Sequence, residues 1–131
     1  MDAERFDVGL EARTRVLGQE YVDRAYANAD GFSREWQDFL TEYCWGGVWG
    51  RSALSDRQRS LNNLCLLAAL NRGEEFKTHF RGALRNGCTL DELRDTLFQI
   101  AVYAGVPAGV EAFRLAREVL QAEGIDPDRG A

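Results

Sequence analysis

Apolar residues recur at intervals of three and four along most of the chain, and no segment shows the strict alternation of apolar and polar residues typical of strands. The chain contains only two prolines, Pro107 and Pro127, so most of it can form uninterrupted helix. The pattern therefore predicts an all-α fold, a single-domain helical bundle of about six to seven helices.

Glycines and helix-capping residues set the expected limits of these helices. Ser55 with Gln58, and Thr89 with Glu92, have the spacing of capping boxes, in which two side chains satisfy backbone N–H groups at a helix start. Ser33 is a further expected N-cap residue. Helices are predicted over about residues 2–17, 19–29, 33–43, 55–70, 74–86, 89–104 and 107–123.

Two segments stand out by composition. Residues 44–50 combine tryptophan with glycine, which predicts a packed turn with Trp45 and Trp49 as buried anchors or as walls of a ligand pocket. Residues 61–70 are apolar on nearly every side of their helix. Such a helix needs neighbours on several sides, so we expect it to be the central helix of the bundle.

The length predicts one domain over residues 1–131. Within it we expect residues 1–30 to form an N-terminal helical arm that packs on a neighbouring subunit, residues 33–123 the core, and residues 125–131 a frayed tail. The N-terminal residues have neither an arginine-rich presequence nor an apolar signal segment, and the longest apolar run is too short to span a bilayer. The expected location is the cytoplasm, with no membrane partner.

The charge distribution indicates an anionic ligand. The net charge of −5 argues against nucleic acid as a partner. Residues 51–85 nevertheless carry seven basic and three acidic side chains, a local net charge of +4 in an acidic protein. A positive region of this kind suits a small anion, although the same arginines could form solvated helix surface.

Several kinds of site lack their sequence signals. One histidine and three scattered cysteines offer no metal-ligand spacing, so no metal is predicted. Glycine-rich nucleotide motifs and the serine hydrolase elbow are absent. Cys44, Cys65 and Cys88 form no C-x-x-C pair, and we expect them to be reduced, with Cys65 filling the core.

His79, the only histidine, is the remaining candidate for acid–base chemistry near neutral pH. Glu75 lies one turn earlier in the same predicted helix and therefore shares its face. Ser60 and Asn63 form a polar face on the apolar helix, where they either line a pocket or hydrogen-bond within the core. A lone histidine on a helix flank is often structural, so the spacing alone leaves its role open.

Six short motifs follow one another in the chain: R-x-D-x-G-L at 5–10, V-W-G-R at 48–51, R-x-R-S at 57–60, E-E-F-K-x-H at 74–79, R-x-A-L-x-N-G at 81–87 and A-V-Y-A-G-V-P-A at 101–108. Together they resemble the carboxymuconolactone decarboxylase family of the alkylhydroperoxidase D-like superfamily. The resemblance covers about residues 4–120 in one collinear match.

This resemblance implies an all-helical, alkylhydroperoxidase D-like subunit, a homo-oligomer (trimer or ring-like hexamer) and no cofactor. The implied reaction is decarboxylation of 4-carboxymuconolactone to the β-ketoadipate enol-lactone in protocatechuate catabolism. Peroxidases of the superfamily resemble this chain less closely, since their pattern is a glutamate, then Cys-x-x-Cys, then a histidine. Aligning that histidine with His79 places Arg72 and Glu75 at the cysteines and Ser60 at the glutamate.

The implied substrate is an anionic lactone whose departing carboxylate is conjugated, through a C=C bond, to the lactone carbonyl. Loss of CO2 leaves a dienolate, which the protein must stabilise and protonate at the alpha carbon. Spacing and resemblance together make His79 the expected proton donor and Glu75 the residue that orients it or raises its pKa. The expected substrate-binding residues are Arg51 as a bidentate carboxylate clamp, Ser60 and Arg72 as polar contacts, and Trp49 and Tyr103 as walls.

Three residues of the central helix, Asn62, Asn63 and Cys65, are more polar than the resemblance leads us to expect. They could reshape the pocket for a different substrate. Two alternatives therefore stay open: the same scaffold acting on another anion, as a decarboxylase, isomerase or lyase of a biosynthetic pathway, or a non-catalytic oligomeric binding protein.

Overall fold

The computed structural model describes residues 1–128, and over these residues it contains helices and no strands. The all-α prediction is confirmed. Part of the predicted frayed tail, residues 129–131, lies outside the described residues. The helices are α1 (Ala3–Leu17), α2 (Gln19–Ala27), α3 (Arg34–Phe39), a π-helix (Leu40–Trp49), α4 (Asp56–Ala69), α5 (Gly73–Arg85), α6 (Leu90–Ala104) and α7 (Val106–Ala122).

The chain divides into two compact units. The first is Met1–Asp56, with α1, α2, α3 and the π-helix, and the second begins at Arg57 and contains nearly all of α4 together with α5, α6 and α7. In the first unit, α1 lies along the π-helix. The single domain with an arm over residues 1–30 and a core over 33–123 stays a prediction.

The capping box predicted at Thr89 is confirmed, whereas Ser33 occupies the predicted N-cap position of α3 without forming a cap bond. Thr89 Oγ1 accepts from the backbone N–H of Glu92 at 3.1 Å, and the Glu92 carboxylate accepts from the N–H of Thr89 at 2.9 Å. Ser33 precedes α3, but its side chain makes no cap bond to the helix. The Asp30 carboxylate instead accepts from the backbone N–H groups of Phe32 and Ser33, at 2.9 and 3.0 Å, and closes the loop before α3.

Residues 44–50 are not a turn, which corrects the prediction for that segment. The helix begun by α3 continues as a π-helix to Trp49. Trp45 and Trp49 stack at 4.9 Å between ring centroids and are buried with apolar residues of α1. Their predicted role as buried anchors is confirmed. Their burial also stabilises the helix across Gly46 and Gly47, because aromatic packing outweighs the weak helix propensity of glycine.

Glycine lets α1 and the π-helix approach until their backbones touch. A Cβ atom placed on Gly9 would lie 1.8 Å from the carbonyl oxygen of Thr41 and 2.7 Å from the nitrogen of Gly46. A Cβ on Gly46 would lie 2.3 Å from the carbonyl oxygen of Arg5. Side chains at these positions are therefore excluded by the backbone of the neighbouring helix.

A buried polar network ties the helices of the first unit together. Arg13 is only 3% exposed and donates to Thr41 Oγ1 at 3.1 Å and to Gln37 Oε1 at 2.8 Å. The Tyr26 hydroxyl lies 2.9 Å from the same Thr41 oxygen. Burial lowers the pKa of the Arg13 guanidinium from its usual value, and the two neutral acceptors partly replace its lost hydration.

The core of the second unit is formed by side chains from all four of its helices, α4, α5, α6 and α7. Its fully buried side chains include Leu64 of α4, Phe76 and Phe80 of α5, Leu93 of α6 and Val119 of α7. The buried residues of α6, Leu93, Leu97 and Ile100, recur at three and four, as the apolar periodicity of the sequence predicts.

Helix α4 is not enclosed as predicted. Within it only Ser60 and Leu64 are buried, whereas Leu66, and Leu70 directly after the helix, are 57% and 66% exposed. The expectation of a central helix covered on several sides is therefore wrong for the chain by itself. Helices α5 to α7 cover only one side, and the other apolar side faces outward.

Candidate functional site

Glu75 and His79 are positioned by the burial of one face of α5. Phe76, Phe80 and Ala83 enter the core of the second unit and fix the rotation of the helix. His79 lies beside this stripe and is partly buried, while Glu75 is exposed one turn earlier. The predicted shared face is confirmed in the sense that the charge of Glu75 acts on the His79 ring.

Two side-chain hydrogen bonds connect α5 to α4. The amide nitrogen of Asn63 lies 3.4 Å from Nδ1 of His79. The amide of Asn86, at the end of α5, donates to Ser60 Oγ at 2.9 Å. Of the two readings of the polar face formed by Ser60 and Asn63, the structure therefore shows hydrogen bonding between helices.

Asn86 is the member of this group that sequence reasoning missed. It follows α5 directly, and the N-G pair at 86–87 signals only a helix end. Ser60 is fully buried, and its oxygen accepts from Asn86. Its predicted contact with a substrate stays a prediction, and its observed role is to fasten α4 to the end of α5.

The environment of His79 favours the neutral ring. Burial lowers the pKa of His79 to about 4, and the nearby charge of Glu75 opposes this shift without cancelling it. Glu75 therefore acts in the predicted direction, but desolvation is the larger effect. At neutral pH the imidazole of the ligand-free protein is uncharged.

The lowered pKa makes stability depend on pH. Between pH 4 and 6.5 the unfolded chain binds a proton at His79 that the folded chain does not, so stability falls as the pH falls. We expect His79→Gln to abolish a loss of roughly 2 kcal/mol in unfolding free energy between pH 7.5 and 5. Urea unfolding of both proteins at both pH values measures this difference, and equal pH dependence would contradict it.

Arg72 lines a cleft in the second unit. The cleft has a volume of about 370 Å³ and lies between the end of α4, the start of α5 and the start of α7. Its apolar walls include Leu67, Phe76 and Leu115, and Glu111 also lines it. The cleft is thus large enough for a small molecule, with an exposed guanidinium on its wall.

Arg51 and Trp49 lie together in the first unit, around a second cleft of about 450 Å³. Arg51 is exposed, just after the π-helix. Arg15 lines the same cleft and pairs with Asp56 at 2.8 Å. The carboxylate clamp expected at Arg51 stays a prediction, because Arg51 belongs to one compact unit and His79 to the other.

Tyr103 is the remaining residue that was predicted to form a wall of the substrate pocket. It lies near the end of α6, is 84% exposed and lines neither of these clefts.

Part of the positive charge of residues 51–85 is neutralised by acidic partners within or outside this segment. The pairs are Arg57 with Glu92, Lys77 with Glu74 and Arg81 with Glu123.

Metal and redox sites would need clustered cysteines, histidines or carboxylates. Over residues 1–128, no group of three or more His, Cys, Asp or Glu side chains is arranged to hold a metal ion. All three cysteines are free, and burial raises the pKa of the Cys65 and Cys88 thiols. Raised pKa values leave these two thiols protonated and poorly nucleophilic.

None of the helices described is both long and apolar enough to cross a membrane.

Known proteins resemble this chain over nearly its whole length. Residues 34–118 match the carboxymuconolactone decarboxylase family. A 4-carboxymuconolactone decarboxylase of Acinetobacter baylyi is 39% identical over 128 residues, which cover 98% of this chain and 96% of that protein. A nitrosuccinic acid decarboxylase of Metarhizium robertsii is 41% identical over 115 residues, covering 88% of this chain and 80% of that protein.

A further 4-carboxymuconolactone decarboxylase, from Pseudomonas putida, is 33% identical over 45 residues, 34% of this chain and 94% of that sequence. The family match includes α4, α5 and α6, and therefore the Asn63, Glu75 and His79 group. The chain belongs to the carboxymuconolactone decarboxylase family.

Proposed function

We propose that this protein decarboxylates 4-carboxymuconolactone to the β-ketoadipate enol-lactone, a step of protocatechuate catabolism. The observation that carries the proposal is the near full-length similarity to the decarboxylase of Acinetobacter baylyi. The electrostatic influence of Glu75 on His79, on a helix whose position the core fixes, supports it.

The reaction needs little from the protein beyond binding and electrostatics. The bound dianion loses CO2 as the C–C bond to the departing carboxylate breaks. The electron pair of that bond passes through the C=C bond to the carbonyl oxygen of the lactone. One proton from solvent then reaches the alpha carbon, directly or through a side chain, and the product keeps one carboxylate. The protein accelerates the step by stabilising the negative charge that develops on the lactone oxygen.

We assign catalysis to His79 and Glu75. As an imidazolium, His79 would protonate the alpha carbon, whereas as a neutral ring it would donate a hydrogen bond to the dienolate oxygen. Its pKa of about 4 favours the second role in the ligand-free protein, which differs from the proton donor expected from the sequence. Substrate binding is proposed for Arg51, Ser60, Arg72, Trp49 and Tyr103.

The Metarhizium relative raises a second candidate substrate. Nitrosuccinate, like 4-carboxymuconolactone, is a dicarboxylate. Its nitro group is on the carbon that bears one carboxylate, and it can accept the electron pair left when that carboxylate departs as CO2. A site built for one of these anions has the features required by the other. The 41% identity to that protein is the specific observation in favour of this alternative.

The proposed function is tested by incubating the purified protein with each dianion separately. We expect the ultraviolet absorbance of 4-carboxymuconolactone to change with release of one CO2 for each molecule consumed. Faster turnover of nitrosuccinate would favour the second candidate. If neither compound releases CO2 above the rate without protein, both activities are excluded.

We also propose that the protein assembles as a homo-oligomer, a trimer or hexamer, in the cytoplasm. Large apolar side chains on three helices of the second unit are exposed, which a second copy of the chain would cover. They are Leu66 of α4 with Leu70 directly after it, Phe98, Val102 and Tyr103 of α6, and Val106 and Val110 of α7.

Val102 offers a sharp test of this assembly because it is 76% exposed and contributes nothing to the core. We expect Val102→Glu to reduce the mass measured by light scattering to that of a smaller species, since a buried unpaired charge disfavours an apolar interface. Asp95→Ala, at an exposed polar position of the same helix, is the control. A wild type that is already monomeric would contradict the proposal.

A further inference from the structure

Asn63 is the side chain of α4 that meets the His79 ring. Its amide nitrogen lies 3.4 Å from Nδ1, a long but acceptable hydrogen-bond distance. Both residues are partly buried, and both elements are held by the same core, with Leu64 next to Asn63 and Phe80 next to His79. The contact therefore joins two positions that the core fixes.

The identity of the atoms decides the state of the ring. An amide NH2 group can only donate, so Nδ1 must accept, and a nitrogen that accepts carries no proton. A neutral imidazole has one N–H group, which is then on Nε2. The ring can become an imidazolium beside Asn63 only if the amide rotates to present its oxygen instead.

We infer that Asn63 is a positioning residue, which holds His79 as the neutral tautomer protonated on Nε2 so that this N–H donates to the charge developing on the substrate. The inference rests on the proposed function for its catalytic part. It assigns a role to Asn63, and it makes His79 a hydrogen-bond donor to the dienolate oxygen, with solvent supplying the proton for the alpha carbon.

The charges around the ring agree with this assignment. Glu75 on α5 is the charged group that acts on His79, and α4 presents the uncharged Asn63 amide to Nδ1. A carboxylate at position 63 would instead accept a hydrogen bond from a protonated Nδ1 and so stabilise the imidazolium. The choice between amide and carboxylate at this position therefore controls which form of the ring meets the substrate.

His79 is the only histidine, so 15N NMR of its ring reports on one site without overlap. The full-length chain, prepared without a histidine tag, should show the Nε2–H tautomer at pH 7. Asn63→Leu, similar in size but unable to donate, should remove this preference and shift the ring toward a mixture of the two neutral tautomers. A wild type with the proton on Nδ1, or an unchanged tautomer in the variant, would overturn the inference.

Asn63→Asp tests the charge argument. It should raise the His79 pKa by about 1 to 3 and move the acid limb of kcat/KM to higher pH by the same amount. Asn62→Asp adds the same charge at the exposed neighbouring position and should leave both unchanged. A kcat/KM that rises tenfold for each pH unit lowered between pH 8 and 5 would show that the imidazolium is the active form and overturn the inference.

Turnover separates this inference from the proposed function. We expect Asn63→Leu to lower kcat on the order of 10- to 100-fold with little change in KM, as happens when partners that orient a functional histidine are removed. An unchanged kcat with an altered tautomer would overturn the catalytic part. A wild type with the expected tautomer that consumes neither dianion would overturn the proposed function and the catalytic part together, while the tautomer assignment would stand.

Discussion

Replacing His79 with alanine should lower kcat on either dianion by about 100- to 1,000-fold, the typical effect of removing a hydrogen-bond donor to a developing oxyanion. The residual rate reflects binding, which other side chains provide. Ultraviolet assays over a range of substrate concentrations measure kcat and KM separately.

A glutamine at position 79 separates the two roles of the ring. Its amide nitrogen can occupy nearly the position of Nε2 and donate, but it cannot deliver a proton as an imidazolium does. His79→Gln should therefore retain more activity than His79→Ala. Equal loss in both variants would favour proton delivery by His79 instead.

Thr78→Ala is a matched control for these variants. Thr78 precedes His79 on α5, and its hydroxyl donates to the backbone carbonyl of Glu74 within the same helix. Its removal tests whether any change at this part of α5 lowers activity. We expect near wild-type kcat, and a His79→Ala protein as active as this control would contradict the catalytic role of His79.

Gly9→Ala should destabilise the first unit by more than about 3 kcal/mol, at or beyond the upper end of the usual cost of overpacking. The added Cβ would lie 1.8 Å from the carbonyl oxygen of Thr41, and no rotamer change can relieve a clash with backbone. The π-helix would have to move away from α1. Because Thr41 also holds Arg13 and Tyr26, this movement would break the buried polar network as well.

Gly47→Ala is the matched control for this substitution. It lies in the same π-helix, and a Cβ atom there meets nothing within 4 Å. Urea unfolding followed by tryptophan fluorescence reports on the first unit through the buried rings of Trp45 and Trp49. A loss at Gly9 of less than about 1 kcal/mol, or an equal loss at Gly47, would show that the close approach of the helices is not needed.

Local rules predicted the helices and part of the site correctly. The capping box of Thr89 and Glu92, the inward stripe of α5 and the shared face of Glu75 and His79 all depend on residues within one turn of one another. Ser60 and Asn63 were likewise expected to share a face, and both bond to residues on or just after α5. Spacing could not reveal which residues they meet, because Asn86 and His79 are 26 and 16 residues away.

The errors arose where another contact competes with the usual preference of a residue type. Ser33 has the usual N-cap identity, yet its hydroxyl hydrogen-bonds with Asp30 in the preceding loop and not with the backbone of α3. The segment ending at Trp49 has the glycines of a turn, but packing against α1 keeps it helical. Helix α4 has the composition of an enclosed helix, yet its side chain Leu66 is 57% exposed.

The amino-acid sequence by itself determined the all-helical fold, the placement of Glu75 and His79 on one helix face and the resemblance to the family, because periodicity, capping and motifs are properties of the order of residues. The tertiary structure alone decided the π-helix, the burial that lowers the pKa of His79 and the contact of its Nδ1 with Asn63. These depend on which atoms a second helix brings near, since desolvation and hydrogen bonding act only between groups in contact.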